Sequence, residues 1–171
     1  MIVFALASNY NDIEKDLFPT KMSPIQEQVN LLDIAQEMIS PKDGSIGLHY
    51  LGVGYHFPNF HIVDFLGKAE PYITRTDVKF GPIGHNRWDY DYAFKKYDII
   101  IIPIEDSVIK EVSATDFILE KEDWMFWKVC AQTALGSGMY GYIPADYFGN
   151  STFGALVRTD KIGLFLKKDG W

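Results

Sequence analysis

The run Asp98-Ile99-Ile100-Ile101-Ile102-Pro103-Ile104 constrains this chain more than any other feature. Five isoleucines in six positions leave no polar face. A near-continuous β-branched run implies a strand buried on both sides, as in the middle of a parallel sheet. Such a sheet needs helices to cover it, so the run by itself argues for an α/β architecture.

The flanking segments support that reading. Ser23-Pro24 opens a helix, with Ser23 as N-cap and Pro24 at the first helical position. Val29, Leu32, Ala35 and Ile39 recur at helical spacing, so the helix is predicted over 24–39, ended by Pro41-Lys42-Asp43-Gly44. Ser45 to Gly52 and Phe60 to Leu66 read as two short buried strands. Pro71 to Thr76 reads as a short helical turn, and residues 77–92 as a long polar loop. Ala93 to Tyr97 leads into the isoleucine strand. Residues 106–123 read as a short surface helix or two turns. Trp124 to Leu135 reads as a helix ended by Gly136-Ser137-Gly138, and Tyr140 to Asn150 as an aromatic loop. Ala155 to Arg158 and Lys161 to Leu166 read as a hairpin around Thr159-Asp160. The expected fold is α/β: a mostly parallel sheet in a layered sandwich, with a C-terminal antiparallel hairpin. The 171 residues form one domain by length, enough to bury roughly 70% of the unfolded surface.

Composition narrows function by exclusion. The net charge is −7 and the basic residues are scattered, so no stripe exists for nucleic-acid phosphates or an anionic membrane. One cysteine, Cys130, rules out an internal disulfide; it lies in an apolar run and reads as a small core residue. The four histidines, His49, His56, His61 and His85, lack the spacing of a metal site, and no metal is expected. No nucleophile elbow is present, and Leu51-Gly52-Val53-Gly54 lacks the helix a phosphate loop needs. No cofactor is expected, and no catalytic residue can be named. The first eight residues, MIVFALAS, carry no charge. They are either a buried strand or the end of a membrane helix cut off upstream; alone they fall short of the roughly 20 apolar residues a span needs.

The segment between Asp64 and Asp91 holds the concentrated polar chemistry. Asp64, Lys68, Glu70 and Arg75 follow the end of the second strand. Gly84-His85-Asn86-Arg87-Trp88-Asp89-Tyr90-Asp91-Tyr92 follow in the long loop. Ligands in parallel sheets sit beyond the carboxyl ends of the strands. Alternating acids and aromatics suit polyols, because carboxylates and amides bond hydroxyls while rings pack on sugar faces. The same charges could equally form internal pairs that brace the loop. Glycoside hydrolysis would need two of the carboxylates across a cleft, a separation the sequence does not fix.

Two stretches, VDFLGKAEPYITRT and GPIGHNRWDYDYAFKKYDIIII, resemble the extracytoplasmic C-terminal region of multi-spanning bacterial glycosyltransferases. These are the lipid-phosphate-sugar-dependent, arabinofuranosyl- and mannosyltransferase-like membrane proteins. The similarity covers roughly residues 25–105. Asp64, Gly67, Lys68, Pro71, Ile73 and Arg75 match the first motif; Gly84, His85, Asn86, Trp88 and Asp89 match the second. Ala69, Glu70, Thr74, Ile83, Arg87 and Tyr97 depart from it. The resemblance implies a domain on the outer face of the cytoplasmic membrane, whose partners are a saccharide or glycolipid and the membrane part of the same transferase. Catalysis would lie in that membrane part, and this chain would bind or orient the acceptor. The expected binding residues are Asp64, Lys68, Glu70, Arg75, His85, Asn86, Arg87, Trp88 and Asp89. Two alternatives stand beside it: a free-standing carbohydrate-active enzyme using Asp64, Glu70, His85 and Asp89, or a non-catalytic interaction module.

Overall fold

A computed structural model describes residues 23–79, 86–113, 125–150 and 152–166. The first eight residues and His85 lie outside the described residues. The structure is a mixed α/β fold around a five-stranded sheet of order β2-β1-β3-β5-β4. Strands β1 (Ser45–Leu48), β2 (Ile62–Asp64) and β3 (Ile99–Glu105) are mutually parallel. Strands β4 (Tyr140–Ile143) and β5 (Phe153–Arg158) complete the sheet antiparallel, β5 pairing with β3 on one side and β4 on the other.

The isoleucine run is the central strand, as its composition demands. Ile99, Ile100, Ile101, Ile102 and Ile104 have no exposed surface, so both faces of β3 are covered. Each buried isoleucine contributes on the order of 1.5–3 kcal/mol relative to exposure. Pro103 has no N–H for a ladder. It stands beyond the β1 pairs, which run Ser45 to Ile99 and Ile46 to Ile101.

Helix α1 (Pro24–Ala35) starts where the cap rules place it, the Ser23 hydroxyl accepting from the Gln26 amide at 3.2 Å. It ends four residues earlier than its apolar spacing suggests, and Met38 and Ile39 continue as turns bonded back to Ala35. It buries Val29, Leu31, Leu32 and Ala35. One helical turn, α2 (Leu51–Gly54), follows β1 directly, so β1 stops at Leu48 rather than Gly52. β2 is likewise trimmed to three residues, and a 3-10 turn occupies Ile73–Arg75. Helix α3 (Tyr90–Lys96) replaces the expected end of the long loop. Asp89 caps it by accepting from the Tyr92 amide, Asp91 sits in its first turn, and Lys95 and Lys96 sit in its last. Helix α4 (Asp106–Val112) leaves β3 without a loop, and α5 (Met125–Gly136) covers the core with Phe126, Trp127, Cys130, Ala131 and Ala134.

The C-terminal half differs most from the sequence reading. The antiparallel pair is present, but its members are β4 and β5. Tyr140–Ile143 is therefore a strand, followed by a 3-10 turn at Ala145–Phe148, and not a loop. Ile162–Leu166 is a short helix, α6, and not the second arm of a hairpin. The physical reason lies in the partners. β5 has β3 on one side, so β4 rather than the segment after Asp160 takes its other edge. Among the described residues, no helix is long and apolar enough to cross a membrane.

Candidate functional site

The described parts of the two polar stretches, 64–79 and 86–92, interlock. Asp64, at the end of β2, is buried and turned back into its own loop. Its carboxylate accepts from the Leu66 amide at 3.1 Å and the Ala69 amide at 2.6 Å. Gly67 makes the turn possible with φ +70°; a Cβ there would meet Ile73 at 2.8 Å and the Thr74 nitrogen at 2.9 Å. The Thr74 hydroxyl ties the loop shut by donating to the Gly67 and Glu70 carbonyls. The second stretch locks onto the first. The Arg87 guanidinium donates to the Thr74 carbonyl at 2.9 Å and to the Thr76 carbonyl. The Lys79 amide donates to the Asn86 carbonyl at 2.6 Å.

Glu70 is the hub of a second network. Its carboxylate accepts from the Tyr72 amide, the Tyr92 and Tyr97 hydroxyls and the Lys96 ammonium, and the rings of Tyr72 and Tyr92 stack at 3.9 Å. Lys96 lies over the faces of both Tyr92 and Tyr97, 4.9 Å from each centroid. Partial burial pushes the Glu70 carboxyl up, but the Tyr97 hydroxyl, the Tyr72 amide and Lys96 outweigh it and hold it below its ordinary value. Asp64 and Glu70 share no partner among the described residues.

The other nominated residues separate by environment. Trp88 is buried, tilted against Phe126 at 6.3 Å, with the Lys79 ammonium 5.4 Å from its ring. Asp89 is a helix cap. Lys68 and Arg75 are exposed, and Asn86 and Arg87 are partly buried. The sequence thus brings the two stretches together, but the groups that meet hold carbonyls, amides and a helix start.

An open hollow lies elsewhere on the same edge of the sheet. The chain runs from β1 to β2 on one side and then to β3 on the other, so the strand order reverses between β1 and β3. In sheets of this kind the crevice outside that reversal is where ligands bind. A hollow of about 380 Å³ occupies it, lined by Pro24, Tyr50, Glu105, Ser107, Val108, Glu111, Trp127 and Lys128. Tyr50 follows the end of β1, and Glu105 and Ser107 sit at the junction of β3 and α4.

The chemistry of this hollow is mixed. The Ser107 hydroxyl donates to Glu105 Oε2 at 3.1 Å. Lys128, little exposed, pairs with Glu111 at 2.6 Å. Burial raises the Tyr50 hydroxyl pKa, and the Glu105 charge adds to it, which places phenol and carboxylate in each other's field. The Trp127 ring, 3% exposed, stacks on His49 at 4.9 Å. His49 Nε2 lies 3.1 Å from the Tyr90 hydroxyl, which donates to the Phe126 carbonyl. The support beneath the Trp127 ring is therefore hydrogen-bonded. Its own indole N–H is buried without a partner among the described residues, as is Glu27 Oε2. Orphaned buried donors are uncommon, and this one belongs to a ring that lines the hollow.

Sequence reasoning pointed to the segment after the second strand and not to these residues. Glu105 and Ser107 are legible as polar groups just past a central strand. Trp127 is not, because no spacing links a helix at 125–136 to Tyr50. Among the described residues, no group of three or more His, Cys, Asp or Glu is placed to hold a metal. No family model matches the sequence, and no curated protein or solved structure matches the chain.

Proposed function

We propose that this chain is a glycan-facing accessory domain of a membrane glycosyltransferase, binding saccharide acceptor on the extracytoplasmic face without catalysing alone. In this reading the sheet is the middle layer of a sandwich, and the saccharide sits in the crevice between the ends of β1 and β3. The observation that carries the proposal is the pairing there of two aromatic rings, Tyr50 and Trp127, with the carboxylate of Glu105, the hydroxyl of Ser107 and an unpartnered indole N–H. Rings for the sugar face and donors and acceptors for its hydroxyls are what a polyol site needs. The transferase part of the proposal leans on the resemblance of residues 25–105. The interlocked loops after β2 then serve as the scaffold that fixes the edge of the sheet.

A free-standing hydrolase has less support. Asp64 is occupied by two amides, Glu70 by four donors and Asp89 by a helix start.

The test is titration of neutral oligosaccharides, including arabinan and mannan fragments, followed by amide chemical shifts. Saturable shifts should concentrate at Tyr50, Glu105 to Ser107 and Trp127. Trp127→Phe keeps a ring but removes the N–H, and should weaken binding about tenfold, the worth of one good hydrogen bond. Shifts confined to the loops around Glu70, or none from a folded domain, would refute the assignment.

A further inference from the structure

The hollow has a charge preference that its role as a saccharide site does not by itself specify. Glu111 and Lys128 neutralise one another at 2.6 Å. Glu105 has no cation partner among the described residues. Its only side-chain donor there is the Ser107 hydroxyl on Oε2, which leaves Oε1 to accept from a ligand. Glu27 is not among the described lining residues. It lies three residues along α1 from Pro24, a lining residue, and so on the same side of the helix. It is 4% exposed, with Oε2 buried and unpartnered. Among the described residues, no basic residue other than Lys128 lines the hollow.

We infer that the crevice takes an uncharged or amino-bearing saccharide and rejects phosphate- and carboxylate-bearing ones. The inference rests on the saccharide reading above and narrows its substrate class. The physical argument is local. An anionic ligand would enter beside Glu105 with Lys128 already paired to Glu111, in a partly desolvated site where like charges repel strongly. A hydroxyl or ammonium instead donates to Glu105 Oε1, while a ring or hydroxyl oxygen accepts from Trp127 Nε1. The consequence for a transferase is a division of labour. A lipid-phosphate donor keeps its phosphate away from this domain, and the crevice holds the acceptor glycan.

The experiment compares three trisaccharides on the whole chain by calorimetry: glucosamine, its N-acetylated form, and galacturonate. The amine form should bind at least as tightly as the N-acetylated form, and the galacturonate about tenfold or more weakly. In Glu105→Gln, checked for folding by circular dichroism, the amine-to-acetyl ratio should fall and the galacturonate penalty should shrink. Galacturonate binding as tightly as the neutral form, or ratios unmoved by Glu105→Gln, would overturn the charge preference while leaving the saccharide site standing. Failure of all three to bind a folded chain would overturn the saccharide reading and this inference with it.

Discussion

Replacing Asp64 by alanine separates a brace from a binding group. In the folded chain this carboxylate is 2% exposed and receives two backbone amides, Leu66 at 3.1 Å and Ala69 at 2.6 Å. Hydrogen bonds to a charged acceptor contribute roughly 1.5–3 kcal/mol each. Leu66 is buried, so water cannot replace its lost acceptor, and it carries the full loss. Ala69 is exposed and recovers part of its loss from solvent. The expected destabilisation is about 3 kcal/mol, which for a domain of this size lowers Tm by roughly 6–12 °C. Asp64→Asn keeps one carbonyl oxygen and should cost about half as much. Urea unfolding followed by far-ultraviolet circular dichroism measures both, with an unchanged m-value showing that the unfolded state is the same. Saccharide affinity, corrected for the folded fraction, should not move. A loss below about 1 kcal/mol for Asp64→Ala, an Asn variant as damaged as the Ala variant, or a change in affinity without a change in stability would each refute the reasoning.

Three further outcomes are expected. Glu70 is held below its ordinary carboxyl value of 4.5, so its share of stability is complete above that pH and is lost as pH falls through the depressed folded value; Glu70→Gln should flatten that acid limb of a stability-versus-pH curve. Burial raises the Cys130 thiol well above its ordinary value, so an aromatic disulfide reagent should label it at the rate of global unfolding and not by direct attack. Gly154 lies in β5, where a Cβ would come within 2.5 Å of the Ile143 carbonyl and 2.6 Å of the Tyr142 hydroxyl; Gly154→Ala should cost on the order of 2 kcal/mol in urea unfolding.

The parallel half of the fold was legible because its signals are local. A hydrophobic run long enough to exclude water on both faces can only be a central strand, and a Ser-Pro start fixes a helix end within one turn. Asp89 shows where local reading stops. An aspartate followed by aromatic and acidic residues satisfies the rules for a sugar-binding loop and for a helix cap alike, and the cap won because the amide of Tyr92 lies within reach. Arg87 is a similar case, nominated for a ligand and used by the carbonyls of Thr74 and Thr76. The β4–β5 pairing was misassigned because strand partners are set by the whole sheet and not by the nearest turn. The hollow was invisible for the same reason. Its walls come from α1, the end of β1, the β3–α4 junction and α5, four places that only the folded sheet makes neighbours.

The isoleucine strand carries a cost during synthesis. β1, on one flank, precedes it in the chain, while β5, on the other, emerges about 50 residues later, a delay of several seconds at ordinary translation speeds. For that interval a strand of five isoleucines has one open edge, the arrangement that recruits other nascent chains. Slow-growth or chaperone-rich expression should therefore raise the soluble yield of this protein more than any surface substitution, and truncation before β5 should send it into inclusion bodies.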